Sequence, residues 1–220
     1  MEVLEMRNFK IEMKIFLSIL LIVFVITGQR ISAHPLAITS CEIQLSESQA
    51  EVTMKILVAD LVIYQGLKPK NKGTHYDYAE TIEAANKHQK FILDYFFLRD
   101  GKGEVFDGKG VNIDTSSLND KKDSGIHPVE VMRYAIIYKF EYDFNSQPPS
   151  ALNFSHIFGG TENGQPETLE LLIYRNDILV EAPSKIGPKV PHVLSIDWSK
   201  PAEPLANDGR EGKRLAEKEL

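Results

Sequence analysis

The residues of this chain best equipped for chemistry are its six histidines and its single cysteine. His34 follows Ser32-Ala33 and precedes Pro35. If the chain is cut after Ala33, His34 becomes a free terminus. Its α-amine and imidazole nitrogen then form a chelate of the kind that suits copper or nickel. Pro35 leaves that chelate intact, because no backbone amide of the second residue is needed. Further imidazoles must come from elsewhere in the chain. His127, at the start of a long strand pattern, and His192, just before the final one, complete the expected metal set of His34, His127 and His192. The competing reading of Ala33-His34-Pro35 is a cleavage junction and a bend into the first strand. His156 lies between Phe154 and Phe158 on one strand face and reads as a core histidine.

The rest of the chemical inventory is thin. The sequence carries no G-x-S-x-G, H-E-x-x-H, C-x-x-C or phosphate-binding glycine loop. Ile38-Thr39-Ser40-Cys41 loosely matches a lipoprotein cleavage box. Yet 13 residues, Arg30 and His34 among them, separate Cys41 from the end of the apolar run. Cys41 therefore reads as a small buried hydrophobe in the first strand. Glu80 and Glu83 fall on the solvent side of a helical wheel, whereas a general acid needs a desolvated pocket. Asp100 and Asp107 flank two glycines, but Lys102 sits inside the spacing, which favours turn chemistry over calcium. Lys68, Lys70 and Lys72 fit a solvated connection better than an anion-contacting loop. No catalytic residue and no enzyme activity are expected, and no cofactor, with copper as the alternative.

The elements that must carry these residues follow from composition and periodicity. The chain has 220 residues, 43% hydrophobic and 25% charged, with 25 basic against 31 acidic side chains and a net charge of -6. That balance excludes a basic nucleic-acid binder, which needs clustered Lys/Arg to neutralise phosphates. One cysteine excludes an intrachain disulfide framework. Residues 1–33 have the parts of a secretory signal: Lys10 and Lys14, the apolar run Ile15 to Thr27, then Gln29-Arg30-Ile31-Ser32-Ala33 with a small residue before the cut. The run is shorter than the roughly 20 residues that a membrane-spanning helix requires. A periplasmic or secreted location is expected, with any membrane association through a partner or an uncleaved signal.

Beyond residue 36 the pattern alternates. Cys41, Ile43 and Leu45 share one face, as do Val52, Met54, Ile56 and Val58, so Thr39 to Leu45 and Glu51 to Val58 read as a hairpin. Tyr78, Ile82, Ala85, Ile92 and Phe96 at helical spacing predict an amphipathic helix over 77–97, with Asp77 as its cap. A short hairpin follows at Asp100-Gly101-Lys102-Gly103, then a polar loop over 114–125. Further strands are expected at Val129 to Phe144, Leu152 to Phe158, Leu169 to Tyr174, Ile178 to Ala182 and Val193 to Trp198, with Arg175-Asn176-Asp177 as the hairpin turn between the third and fourth of these. The fold class is mainly β: an Ig-like antiparallel β-sandwich over residues 34–198 with one inserted α-helix. The charged, proline-containing stretch 199–220 reads as a disordered tail.

Ala33 to Ile43, Val52 to Leu61, the helix Tyr78 to Phe96 and the Asp100-Gly101-Lys102-Gly103 turn together resemble a family of bacterial secreted proteins of unknown function. Its members have a post-signal His-Pro, two alternating strands, an Asp-Leu or Asp-Phe step, a helix and an Asp-Gly hairpin. A weaker similarity is to the extracytoplasmic domain of hydrogenase- and urease-accessory permeases, whose later membrane segments this chain lacks. The resemblance covers roughly residues 33–182 and implies fold and compartment, with no catalytic residues. The expected function is an exported, non-enzymatic binding or accessory protein for a protein or small ligand, acting beside a membrane partner. The alternative is a copper- or nickel-binding protein using His34.

Overall fold

Alternation in Thr39–Leu45 and Gln49–Leu57 gives each segment one apolar and one polar face, and only pairing can satisfy their backbone groups. In the computed structural model, which describes residues 39–70, 73–145, 147–158, 169–186 and 191–204, these are strands β1 and β2. They form an antiparallel hairpin with Ile43 opposite Val52 and Cys41 opposite Met54. The chain continues through helices α1 (Val58–Tyr64) and α2 (Tyr78–Tyr95). Strands β3 (Phe96–Asp100), β4 (Gly108–Asp114), β5 (Ala135–Asp143) and β6 (Ala151–His156) come next. Strands β7 (Leu169–Arg175), β8 (Ile178–Ile186) and β9 (His192–Ser195) complete the order.

The protein is mainly β, with its strands in two sheets, as a sandwich requires. One sheet has six strands in the order β4-β5-β2-β1-β7-β8, and the other three in the order β3-β6-β9. Every neighbouring pair is antiparallel except β1 and β7, which run parallel. Register places Cys41, Met54, Tyr138 and Leu171 in one row and Ile43, Val52, Phe140 and Ile173 in the next. All eight are buried. Glu42, Thr53 and Lys139 take the opposite, wetter face.

Helix α2 and the small sheet cover the buried face. The helix begins where Asp77 Oδ1 accepts the Glu80 amide at 3.0 Å, one of the donors a helix start leaves unpaired. Its buried positions are Thr81, Ala84, Ala85, His88 and Ile92, so the seam lies slightly round the wheel from the Tyr78/Ile82 line expected from hydrophobicity. Small side chains win there because the helix runs close over the sheet. A Cβ on Gly108 would sit 2.5 Å from the Tyr142 ring and 2.9 Å from Leu93. This close approach explains the glycine-rich sequence of β4, a strand that alternation does not reveal.

Other departures have equally local causes. The strand expected over Val129 to Phe144 is confined to Ala135–Asp143. Ahead of it, Pro128–Glu130 forms a 3-10 turn, in which Glu130 Oε2 accepts the His127 amide and His127 Nδ1 accepts that of Val129. Val129, whose apolar character suggested a strand, is 76% exposed. The expected strand through Val58 ends one residue earlier. Asp60 Oδ2 accepts the Leu57 amide at 3.0 Å and turns the chain into α1, so two helices are present where one was expected. The polar stretch 114–125 contains a 3-10 turn at Ser116–Lys121, anchored by fully buried Leu118. The last strand stops at Ser195 and not at Trp198.

The reversal after β3 follows the expected turn chemistry: Asp100 Oδ1 accepts the amides of Lys102 and Glu104 at 2.8 and 2.9 Å. The β7–β8 turn puts Asn176 and Asp177 at φ 50° and 63°, the left-handed pair of a type I′ hairpin. No described helix is long and apolar enough to cross a membrane. The expected signal 1–33, His34 and the tail beyond residue 204 lie outside the described residues.

Candidate functional site

The histidines are dispersed. His127 caps a surface 3-10 turn. His192 stands on β9 with its ring 6.2 Å from that of Phe154 and its Nε2 3.8 Å from Glu181 Oε1 on β8. His75 Nδ1 lies 3.1 Å from the Thr74 hydroxyl in the loop before α2. Among the described residues no group of three or more His, Cys, Asp or Glu is placed to hold a metal ion. His34, the first ligand of the expected set, lies outside them.

The groups that burial perturbs most are engaged in the scaffold. His156 is fully buried, its Nε2 2.8 Å from the Ile186 carbonyl and its Nδ1 accepting the Phe158 amide. That fixes Nε2 as the protonated nitrogen and ties β6 to the end of β8. Desolvation lowers its pKa, and the bond to Ile186 opposes the shift in part. Cys41 is fully buried, and burial pushes its thiol well above the ordinary range, with Glu42 adding to the effect. A thiolate is the reactive form of cysteine, so Cys41 is inert. The Tyr138 hydroxyl donates to the Ala85 carbonyl at 3.0 Å and joins sheet to helix.

His88 is not one of the expected metal set. It is 98% buried, 3.1 Å from Gln65 Nε2 through its Nδ1, and ringed by Tyr64, Phe91 and Tyr138. Burial pulls its pKa down to about 4. Asp60, Tyr64 and His88 border a void of 10 Å³, room for about one water. This pocket is too small for a ligand.

A larger concavity opens at the other end of the sheet. It has a volume of 290 Å³, near the lower end of the roughly 300–1,000 Å³ of ligand pockets. Leu45, Val180, Leu194 and Ile196 supply apolar wall, and Asp197, Lys200 and Glu203 stand with them as charged lining. The remaining charged group is Arg175, the last residue of β7, paired in register with Leu45. Leu169, Leu171, Ile173 and Arg175 share one parity of the strand, so Arg175 points its long side chain to the apolar face and is 92% buried.

Its guanidinium holds the segment that follows β9. Nη1 donates to the Asp197 carbonyl at 3.0 Å, and Nη2 to those of Trp198 and Lys200 at 3.2 and 2.7 Å. The Trp198 ring lies 4.8 Å from the guanidinium carbon, a cation–π contact that is worth about 0.5–2 kcal/mol. Trp198 Nε1 in turn donates to the Pro149 carbonyl at 2.7 Å. Residues 196–204 are thereby strapped across the open end of the sandwich. Arg175 forms no ion pair with a described carboxylate, and its buried Nε–H has no acceptor there. A buried donor left unmatched costs about 1–3 kcal/mol. Sequence reasoning treated Arg175 only as part of a turn. The signal that marks it is an arginine on the apolar parity of a strand.

Compared with known proteins, the chain matches no family model, no curated protein and no solved structure.

Proposed function

We propose that the protein is an exported, non-enzymatic binding protein whose ligand site is the cleft at Arg175. One observation carries this reading: a 290 Å³ concavity brings the apolar side chains of Leu45, Val180, Leu194 and Ile196 together with the charged residues Arg175, Asp197, Lys200 and Glu203. Apolar lining with a few fixed polar groups is the general make-up of small-molecule sites. The perturbed side chains elsewhere support the same reading. Cys41, His88, His156 and Tyr138 hold strands and helix together, and burial keeps each in its neutral form. Export rests on the signal pattern of residues 1–33.

The test is a fragment screen by amide-detected NMR on the protein beginning at His34. Hits are expected to shift the amides of Ser195 to Glu203 together with those of Leu45 and Val180. Hits that cluster elsewhere, or an absence of hits at those residues, overturn the proposal.

A further inference from the structure

The last described residues lie on the cleft itself, which bears on how that site is controlled, an inference that rests on the binding reading above. Three bonds from Arg175 to the carbonyls of residues 197, 198 and 200 fix the strap as far as Lys200. Pro201, Ala202 and Glu203 then line the cleft. Proline at 201 and 204 holds φ at about −65°, so the chain leaves along the rim with few directions open to it. Leu205 comes next. Consecutive Cα atoms are about 3.8 Å apart, so its Cα lies within about 8 Å of that of Glu203. It is also the first large apolar side chain after Trp198, and the next leucine is Leu215.

The cleft offers what such a side chain needs. Val180 and Leu194 are only half-buried there, beside buried Leu45 and Ile196. An apolar cavity of about 150 Å³ holds benzene, so the 290 Å³ of this cleft holds a leucine side chain. Covering Val180 and Leu194 removes apolar surface from water at both partners. On the rim, Lys200 pairs with Asp197 at 3.3 Å, and an uncharged side chain enters without disturbing that pair. We propose that Leu205 folds back into the cleft against Val180 and Leu194, so that an incoming ligand must displace the chain's own tail.

Methyl-labelled protein beginning at His34 tests the contact directly. Nuclear Overhauser effects are expected between the Leu205 δ-methyls and the methyls of Val180 and Leu194. N-acetyl-leucinamide, a neutral copy of the occupant, is then titrated into wild type and Leu205→Ser and followed by the amide shifts of Leu45 and Val180. It should bind the variant about three- to tenfold more tightly, as expected where the cleft is free in about a tenth to a third of wild-type molecules. Leu205→Met, of similar volume, should keep wild-type affinity. The wild-type contacts decide even if Leu205→Ser does not fold. Should N-acetyl-leucinamide bind neither protein, the tightest fragment of the screen takes its place in the comparison.

Absence of those contacts would overturn the proposal. Contacts from Leu215 or Leu220 instead, or contacts only between differently labelled copies of the chain, would do the same. So would equal affinity of wild type and Leu205→Ser. In each of these cases fragments mapping to Ser195–Glu203 leave the cleft as a binding site. A Leu205 contact in wild type, with no fragment bound there even in Leu205→Ser, would overturn the binding reading and the competition with it, leaving a tail that only covers the core.

Discussion

His88 occupies a place on α2 that a larger apolar side chain would fill without cost in protons. In the folded protein its imidazole titrates at about 4, against 6.5 for a free histidine, because burial disfavours the charged ring. Between these values the unfolded chain binds more protons than the folded one, so stability rises with pH across that window. Lowering the pH from about 6.5 to about 4 should remove roughly 3 kcal/mol. His156, lowered by the same cause, acts in the same direction. Asp77 and Asp197, whose carboxyls are held below their usual range chiefly by hydrogen bonds from Glu80 and Ser199, add their losses at more acid pH. Urea unfolding at pH 7 and pH 4.5 measures the effect. The difference should shrink by more than half in His88→Phe, and an undiminished pH dependence in that variant would assign the protons elsewhere.

Elements that sequence reasoning located are those whose signals are local. The β1–β2 hairpin was legible because two alternating runs flank a polar turn, and α2 because Asp77 stands one turn ahead of its periodic stripe. The β7–β8 hairpin was legible in Arg175-Asn176-Asp177, and its turn can be improved. Asp177 sits at φ 63°, a conformation glycine adopts without strain and the second position of an Asn-Gly type I′ turn. Asp177→Gly should raise stability by about 0.5 kcal/mol, read as a higher denaturation midpoint with unchanged slope. A lower midpoint would mean that the aspartate makes a contact worth more than the strain. Elements that escaped are those fixed by distant partners. Strand β4 is glycine-rich because α2 lies over it, and α1 arises because Asp60 folds back on Leu57 in the middle of an apolar run. Neither cause has a local periodicity to detect.

At the scale of the whole molecule, one apolar cluster runs from Cys41 through α2 to Ile196 and includes residues of both sheets. A shared core implies that neither sheet is stable alone. Far-UV circular dichroism and the fluorescence of Trp198, the only tryptophan, should therefore report one coincident unfolding transition. An earlier transition by fluorescence would show the strap 196–204 coming off before the core melts. The cleft, unlike the sheets, was barely legible. It joins β1, β7, β8 and the strap, and only the buried parity of Arg175 hints at it. The parallel pairing of β1 with β7 has a further consequence in time. As the chain is made from its amino end, β2 can cover one edge of β1 within seconds, whereas the other edge must wait for residues 169–175. At about 5–20 residues per second that interval is on the order of ten seconds. A row of unpaired amides and carbonyls beside Cys41, Ile43 and Leu45 is open to any passing strand for that long, so the yield of folded protein turns on what guards this edge before its own partner exists.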